Sequence, residues 1–321
     1  MPSIPSSATT HAKRSELLAG TLRDIIALGR FPFLLAGAIL FLLGAAAGAL
    51  HAGWPPAGQL VLGYAVFGCA HLALSYSNEY YDRFSDCPEE SPVSGGSGVL
   101  QRKGHLAPAA LACAVLLTAA SILLLILYSG RYGWSPLLWA WVVAGNVIGW
   151  AYSAPPVRLA ARGLGEGATA AAFGILMPGM GYLIATGTLD AAFLPFALPL
   201  TSLGVVFILA VELPDCECDR AHGKKTAVVR LGRRRSATLI LAAAGTATLL
   251  FVLATTPSAG ILPAVSSLPV LGVAAVGWRE CDGSRTAGRR SAARTVAALV
   301  LCITIITAVL IWSYLTGNGI P

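Results

Sequence analysis

Charge is scarce in this chain. Asp, Glu, Lys and Arg make up 12% of its 321 residues, against about 25% in an ordinary soluble protein. With 56% of residues hydrophobic, that scarcity excludes a soluble enzyme and indicates an integral membrane protein. Cysteine is also sparing, and its placing matters more than its number. The seven cysteines contain no Cys-x-x-Cys pair, and Cys216 and Cys218 flank Glu217, so on a helix they point to different sides. This argues against a zinc site or a disulfide framework. A cleavable signal peptide is also missing, since the first long apolar run starts only near Phe31 and is long enough to span. The net charge of +7 is not a nucleic-acid signature. In a membrane protein basic residues first report topology.

A span needs about 20 apolar residues. Nine segments qualify: 31–51, 57–80, 106–128, 134–153, 167–186, 190–212, 236–255, 259–278 and 295–315. Residues 1–14 are small and polar and are expected to be a disordered tail, leaving 15–321 as one transmembrane domain. Of the 22 Lys and Arg, 21 fall on one side of this nine-span layout, and only Arg131 falls on the other. The positive-inside rule then places the N-terminus in the cytoplasm and the C-terminus outside. The expected fold class is all-α, a polytopic membrane protein with nine transmembrane helices.

Two acidic stretches close spans two and six, on that same cytoplasmic side. In NEYYDRFSD, Asn78, Asp82 and Asp86 lie four residues apart and share one helical face. In ELPDCECD, Glu212, Asp215 and Asp219 follow an i, i+3, i+7 pattern, again one face. Carboxylates so dense at a membrane boundary are costly and need a reason. If converged, the four aspartates carry a formal charge that two Mg²⁺ would balance, and Mg²⁺ prefers few carboxylates plus water and phosphate oxygens. The expected metal ligands are therefore Asn78, Asp82, Asp86, Asp215 and Asp219, with a diphosphate as the bound group. The bland alternative is two solvated helix ends paired with nearby Arg and Lys.

Each acidic stretch leads into a basic loop. Ser91–Gly104 is rich in Gly and Ser and ends on Arg102 and Lys103, a composition able to offer backbone N–H groups and charge to phosphate. After Asp219 come Gly223, Lys224, Lys225 and Thr226. Arg233, Arg234 and Arg235 read as topology and headgroup contacts. Between the two lies AYSAPPVRLAARGLGE, where Pro155 and Pro156 stiffen the loop and Arg158 and Arg162 are four residues apart. Lys103, Arg158, Arg162, Lys224 and Lys225 are thus candidates for the diphosphate. Tyr152 is either a cavity wall or an interfacial anchor.

At these stretches the chain resembles the UbiA superfamily of intramembrane prenyltransferases. NEYYDRFSD is similar to the pattern N-D-x-x-D-x-x-x-D, PDCECDRAHGKKT to D-x-E-x-D followed by G-K-x-T, and YSAPPVRLAARGLGE to the segment between them. The flanking SGGSGVL resembles the menaquinone-type, dihydroxynaphthoate branch. Glu79 and Glu212 stand where many members have Asp, which lengthens the arm and keeps the charge.

The resemblance implies a bundle around a central cavity, open sideways to lipid, with both acidic motifs at its cytoplasmic mouth in the cell membrane. It implies Mg²⁺-dependent transfer of a polyprenyl group from an allylic diphosphate to an aromatic or lipid acceptor, with Asp82, Asp86, Asp215, Asp219 and Tyr152 as catalytic residues. Tyr152 and Phe173 would then shield an allylic cation. A terpene cyclase using the same site, a transporter and a non-catalytic relative are the competing readings. Membrane lipids are the expected surroundings, and nucleic acid is not an expected partner.

Overall fold

The structure, a computed structural model, describes residues 19–86, 96–254, 260–281 and 283–317. The expected tail, residues 1–14, lies outside them. The long helices are α1 (Phe31–Ala52), α2 (Ala57–Asp82), α3 (Ala107–Tyr132), α4 (Pro136–Ser153), α5 (Gly165–Thr186), α6 (Leu194–Glu212), then two short helices, α7 (Cys216–Ala221) and α8 (Ala227–Leu231), then α9 (Arg233–Leu253), α10 (Leu262–Arg279) and α11 (Arg285–Leu315). Prolines at the starts of α1, α3, α4, α6 and α10 occupy first-turn positions that lack an intrahelical N–H bond in any case. Ser135 and Ser284 cap α4 and α11 through their hydroxyls, accepting from the N–H of Leu138 and Ala287.

Among the described residues eight helices are long and apolar enough to cross a membrane and no strand forms, so the protein is a helical multi-pass membrane protein. Helix α4 stands where the fourth of nine spans was expected but is not one of these eight. The last helix also departs from expectation. It begins at Arg285, ten residues before the apolar run at 295, because the Ser284 cap starts a helix whose basic first turns continue without a break into the apolar part. Arg233 is a further correction. Rather than meeting headgroups, it is buried and donates to the carbonyls of Leu213 and Gly283, each at 2.7 Å, and to Glu217, fastening α9 to the loop after α6.

Helices α1, α5 and α6 form the middle of the bundle, and α3 lies outside against α2. Each acidic helix packs along the next span, α2 on α3 and α6 on α9. The α1–α5 contact is the closest. A Cβ on Gly44 would sit 1.7 Å from the carbonyl oxygen of Pro178, and one on Gly181 would sit 1.9 Å from that of Phe41. Backbone therefore meets backbone there, which is how small residues hold membrane helices together without a hydrophobic drive between them.

Gly44→Ala and Gly181→Ala should each lower stability by about 1–3 kcal/mol through overpacking. Gly245→Ala, where a Cβ meets open space, should leave it unchanged or slightly raised. Thermal unfolding in detergent measures this, and equal midpoints for all three variants would refute the close-contact argument.

Candidate active site

A cavity of about 560 Å³ opens at the end of the bundle where α2 and α6 finish. Six carboxylates line it: Glu79, Asp82 and Asp86 from α2 and the turn after it, and Glu212, Asp215 and Asp219 from the end of α6 and α7. Asn78 and Asp82 face the same space as Glu212, Asp215 and Asp219, but neither acidic set lies on one helix as the spacing predicts: α2 ends at Asp82, before Asp86, and α6 ends at Glu212, before Asp215. Asp82 ends α2, and its carbonyl accepts from the N–H of Ser85 at 2.8 Å and of Asp86 at 2.8 Å, so the chain winds one further turn and keeps Asp86 at the rim. Ser153, the last residue of α4, brings its Oγ to 2.5 Å from Asp82 Oδ2 and 3.0 Å from Asn78 Oδ1. It ties a third helix end to this face.

Lys224 is the cation among these acids. Its Nζ lies 2.9 Å from Asp86 Oδ1 and 3.3 Å from Asp219 Oδ1. Gly223, at φ 73°, lets the chain reverse so that the Lys224 N–H donates to the Asp219 carbonyl at 2.9 Å and the side chain folds back over the cluster. Burial opposes the ammonium, but Asp86 and Asp219 outweigh it and hold Lys224 above its ordinary pKa. Burial, then the neighbouring Asp219 and Asp86, push Asp215 up to about 6, and it feels Arg285 and Lys224 only as the weaker, opposing charges. Asp219 is raised by burial against the pull of Lys224.

Among the described residues, no three His, Cys, Asp or Glu side chains lie close enough to hold a metal ion by themselves. The carboxylates instead ring an open space. That suits Mg²⁺, which keeps few carboxylates and completes its shell with water and phosphate oxygens. The Lys224 ammonium between Asp86 and Asp219 demonstrates that a cation fits there. The donor set is therefore compatible with Mg²⁺ bound together with a diphosphate, and not with a closed protein cage.

The other expected site residues divide. Tyr152 lines the cavity, with Thr169 Oγ1 donating to its hydroxyl at 3.3 Å. Lys103, Arg158, Arg162 and Lys225 do not line it. Lys103 pairs with Asp24 at 2.5 Å, Arg162 donates to the Pro156 carbonyl at 2.8 Å, and Arg158 and Lys225 are exposed. Of five expected diphosphate residues, Lys224 alone faces the space. Adjacent lysines part because a turn, and not periodicity, aims them. Glu79 also behaves differently from a lengthened metal arm. Its two oxygens accept from the Ser97 N–H at 2.6 Å and Oγ at 2.8 Å, pinning the segment 96–98 against α2. Of the Gly- and Ser-rich stretch, residues 91–95 lie outside the described residues. Cys218 is disulfide-bonded, which its spacing argued against; separation along the chain does not report proximity in the fold.

Sequence reasoning assigned no site role to Arg30, Ser153 or His71. Arg30 lines the mouth in a left-handed conformation, φ 47°, with its guanidinium 4.4 Å from the Phe33 ring centre. It was counted only toward topology. Ser153 carried no signal apart from adjoining Tyr152. His71 lies three turns below Asp82 on the same face, with its Nδ1 buried and unpartnered. An isolated polar residue in an apolar span is itself a signal. A single π-type turn over Ala172–Leu176 in α5 presents Phe173 to the cavity, stacked 6.0 Å from Phe207. Such turns recur at functional sites.

The same architecture occurs in solved proteins. A digeranylgeranylglyceryl phosphate synthase structure superposes with a TM-score of 0.61 at 12% identity, covering 91% of this chain and 99% of that one. A UbiA homologue from Archaeoglobus fulgidus bound to GPP and Mg²⁺ gives 0.57 at 16% identity, covering 88% and 99%. The same homologue bound to DMAPP and Mg²⁺ gives 0.58 at 17%, covering 88% and 99%. No curated protein sequence matches the chain significantly. The sequence profile described as the UbiA prenyltransferase family matches residues 38–298, and the chain belongs to that family.

Proposed function

We propose that this protein transfers a prenyl group from an allylic diphosphate to an aromatic acceptor of the quinone-precursor type, within the membrane and at its cytoplasmic face. The observation that carries this is the pairing of a carboxylate ring around Lys224 with an apolar cavity beneath it. An amphiphile with an anionic head and a hydrocarbon tail matches both parts. The bias of 21 of 22 basic residues toward this end supports its cytoplasmic placing, with α4 as a ninth crossing.

Asn78, Asp82, Asp86, Asp215 and Asp219 are the residues that would hold magnesium, two ions by charge balance. When bound, Mg²⁺ neutralises charge developing on the leaving diphosphate. Lys224 adds a compact positive charge beside the same oxygens. Ser153 orients Asp82 and Asn78. As the allylic carbon–oxygen bond breaks, Phe173, Phe207 and Tyr152 present aromatic faces to the cation, and the apolar walls keep water from it. The acceptor ring then forms the carbon–carbon bond and loses a proton, which the released diphosphate takes up, to recover aromaticity. The likeness to digeranylgeranylglyceryl phosphate synthase favours a second reading, with a lipid alcohol as acceptor at the same site.

Three predictions test this reading on protein purified in detergent with geranylgeranyl diphosphate and Mg²⁺. Asp82→Ala and Asp215→Ala should abolish diphosphate release while thermal unfolding stays cooperative; wild-type rates in either variant would refute the site. With dihydroxynaphthoate added, mass analysis should find a prenylated naphthoate, whereas only hydrocarbon or prenyl alcohol would exclude transfer to that acceptor. Ser153→Ala, which removes a hydrogen bond to a charged group worth about 1.5–3 kcal/mol, should reduce the rate roughly 10-fold or more. An unchanged rate would mean that Asp82 is held in place without it.

A further inference from the structure

The floor of the cavity sets a limit that the acidic mouth does not. The inference rests on the reading that a prenyl diphosphate binds with its tail inward. Down α2 the lining runs from Asp82 to Phe67, fifteen residues or about 22 Å at 1.5 Å per residue. There it stops. Phe67 stacks on Phe41 with ring centres 5.9 Å apart, and Tyr64 packs against Phe41 at 5.4 Å and Phe67 at 6.1 Å. On the far wall Trp141 donates from its indole N–H to the Leu176 carbonyl at 3.1 Å, joining α4 to α5.

Below this level the described helices are closely packed. Gly44 and Gly181 bring the backbones of α1 and α5 into contact. Phe41, Val66, Met180 and Ile184 form a buried core with Leu125 and Leu138. One side of the cavity is less closed: Leu35 on α1 lines it and is 63% exposed. That opening lies well toward the mouth, since Leu35 is in the second turn of α1.

We propose that the cavity is blind at its inner end, and that Phe67, at its floor, limits the donor to prenyl chains of three to four isoprene units. Metal–oxygen bonds of about 2 Å and the phosphate ester place the reacting carbon roughly 6 Å inside the carboxylates, leaving about 16 Å. An extended isoprene unit covers about 5 Å, from four carbon–carbon bonds of ~1.5 Å in zigzag. Three units fill the remaining depth in extended form, and a fourth fits only if the chain bends. Each buried methylene adds about 0.8 kcal/mol, so affinity climbs with length until the floor is met, and forcing a longer chain into a packed end costs more than it returns.

The test uses non-hydrolysable prenyl thiolodiphosphates of two, three, four, six and eight units with Mg²⁺, read as binding to the detergent-purified protein by tryptophan fluorescence. No acceptor is needed. Affinity should rise to three or four units and fall at least 10-fold at six. Phe67→Ala, which lowers the floor, should move the fall toward longer chains. Ala70→Phe, which raises it by about one turn of α2, should move it toward shorter ones. Opposite shifts in two variants, both binding the two-unit ligand as wild type does, cannot come from misfolding. A wild-type affinity that stays level from four to eight units means that the tail leaves past Leu35, and it overturns the proposal while keeping the diphosphate site. Variants that leave the cutoff where it was, or move it in one direction, overturn it too. No Mg²⁺-dependent binding of the two-unit ligand overturns both the proposal and the reading beneath it.

Discussion

The constraint from which the rest follows is the gathering of six carboxylates at the boundary of an apolar bundle. Two helix ends contribute to it. α2 finishes at Asp82 and α6 at Glu212, so the negative ends of both macrodipoles point at the space the acids already occupy. A helix C-terminus is the wrong place for a carboxylate by some tenths of a kcal/mol, and here the penalty is repeated on facing helices. Burial adds to it, as the raised Asp215 and Asp219 show. The locus is built to require cations, and Lys224 supplies one of them.

The rest of the acidic end positions that demand. Ser153 ties α4 to Asp82, Glu166 accepts from the N–H of Ala227 at the start of α8, Glu79 pins residues 96–98, and Arg233 locks α9 to the carbonyls after α6. These contacts join segments far apart in sequence, and each spends a polar or charged group on fixed partners within the protein. Groups so committed are not available to a substrate. Asp86 and Asp219 pair with the buried Lys224, and with Asp82 and Asp215 they line the cavity mouth, which is the arrangement expected where a ligand completes the coordination.

Much of this was legible in the sequence, and the boundary of legibility is physical. Apolar runs report spans because the bilayer leaves few alternatives, and the spacing of Asn78 and Asp82 reports a face because helical periodicity is rigid, whereas Asp86 reaches the same rim from the turn after α2. That both acidic helices close even-numbered spans places them at one end. Loop geometry is where the reading failed. Lys224 and Lys225 are neighbours of identical chemistry, and the turn at Gly223 aims one inward and leaves the other in solvent. Arg233 looked like one of three surface arginines and is buried. Lys103 found Asp24, a partner 79 residues away, and no local pattern reports that. Ser153 carries no periodic signal because it is the last residue of α4, and Arg30 none because it precedes α1.

The two ends of the cavity are under different kinds of control. At the mouth, position is fixed by directed contacts between charged groups and loops, which tolerate a water or a shifted side chain. At the floor it is fixed by backbone contact through Gly44 and Gly181 and by the packed rings of Phe41, Tyr64 and Phe67, which tolerate almost nothing, since a packed interior responds to a single added methylene. A site that must admit, turn over and release a charged head benefits from an adaptable mouth. A tail with no polar handle can be measured only by running out of space. The same α1–α5 contact that holds the middle of the bundle together therefore also closes the space beneath the reaction site, so stability and chain-length selection draw on one set of glycines.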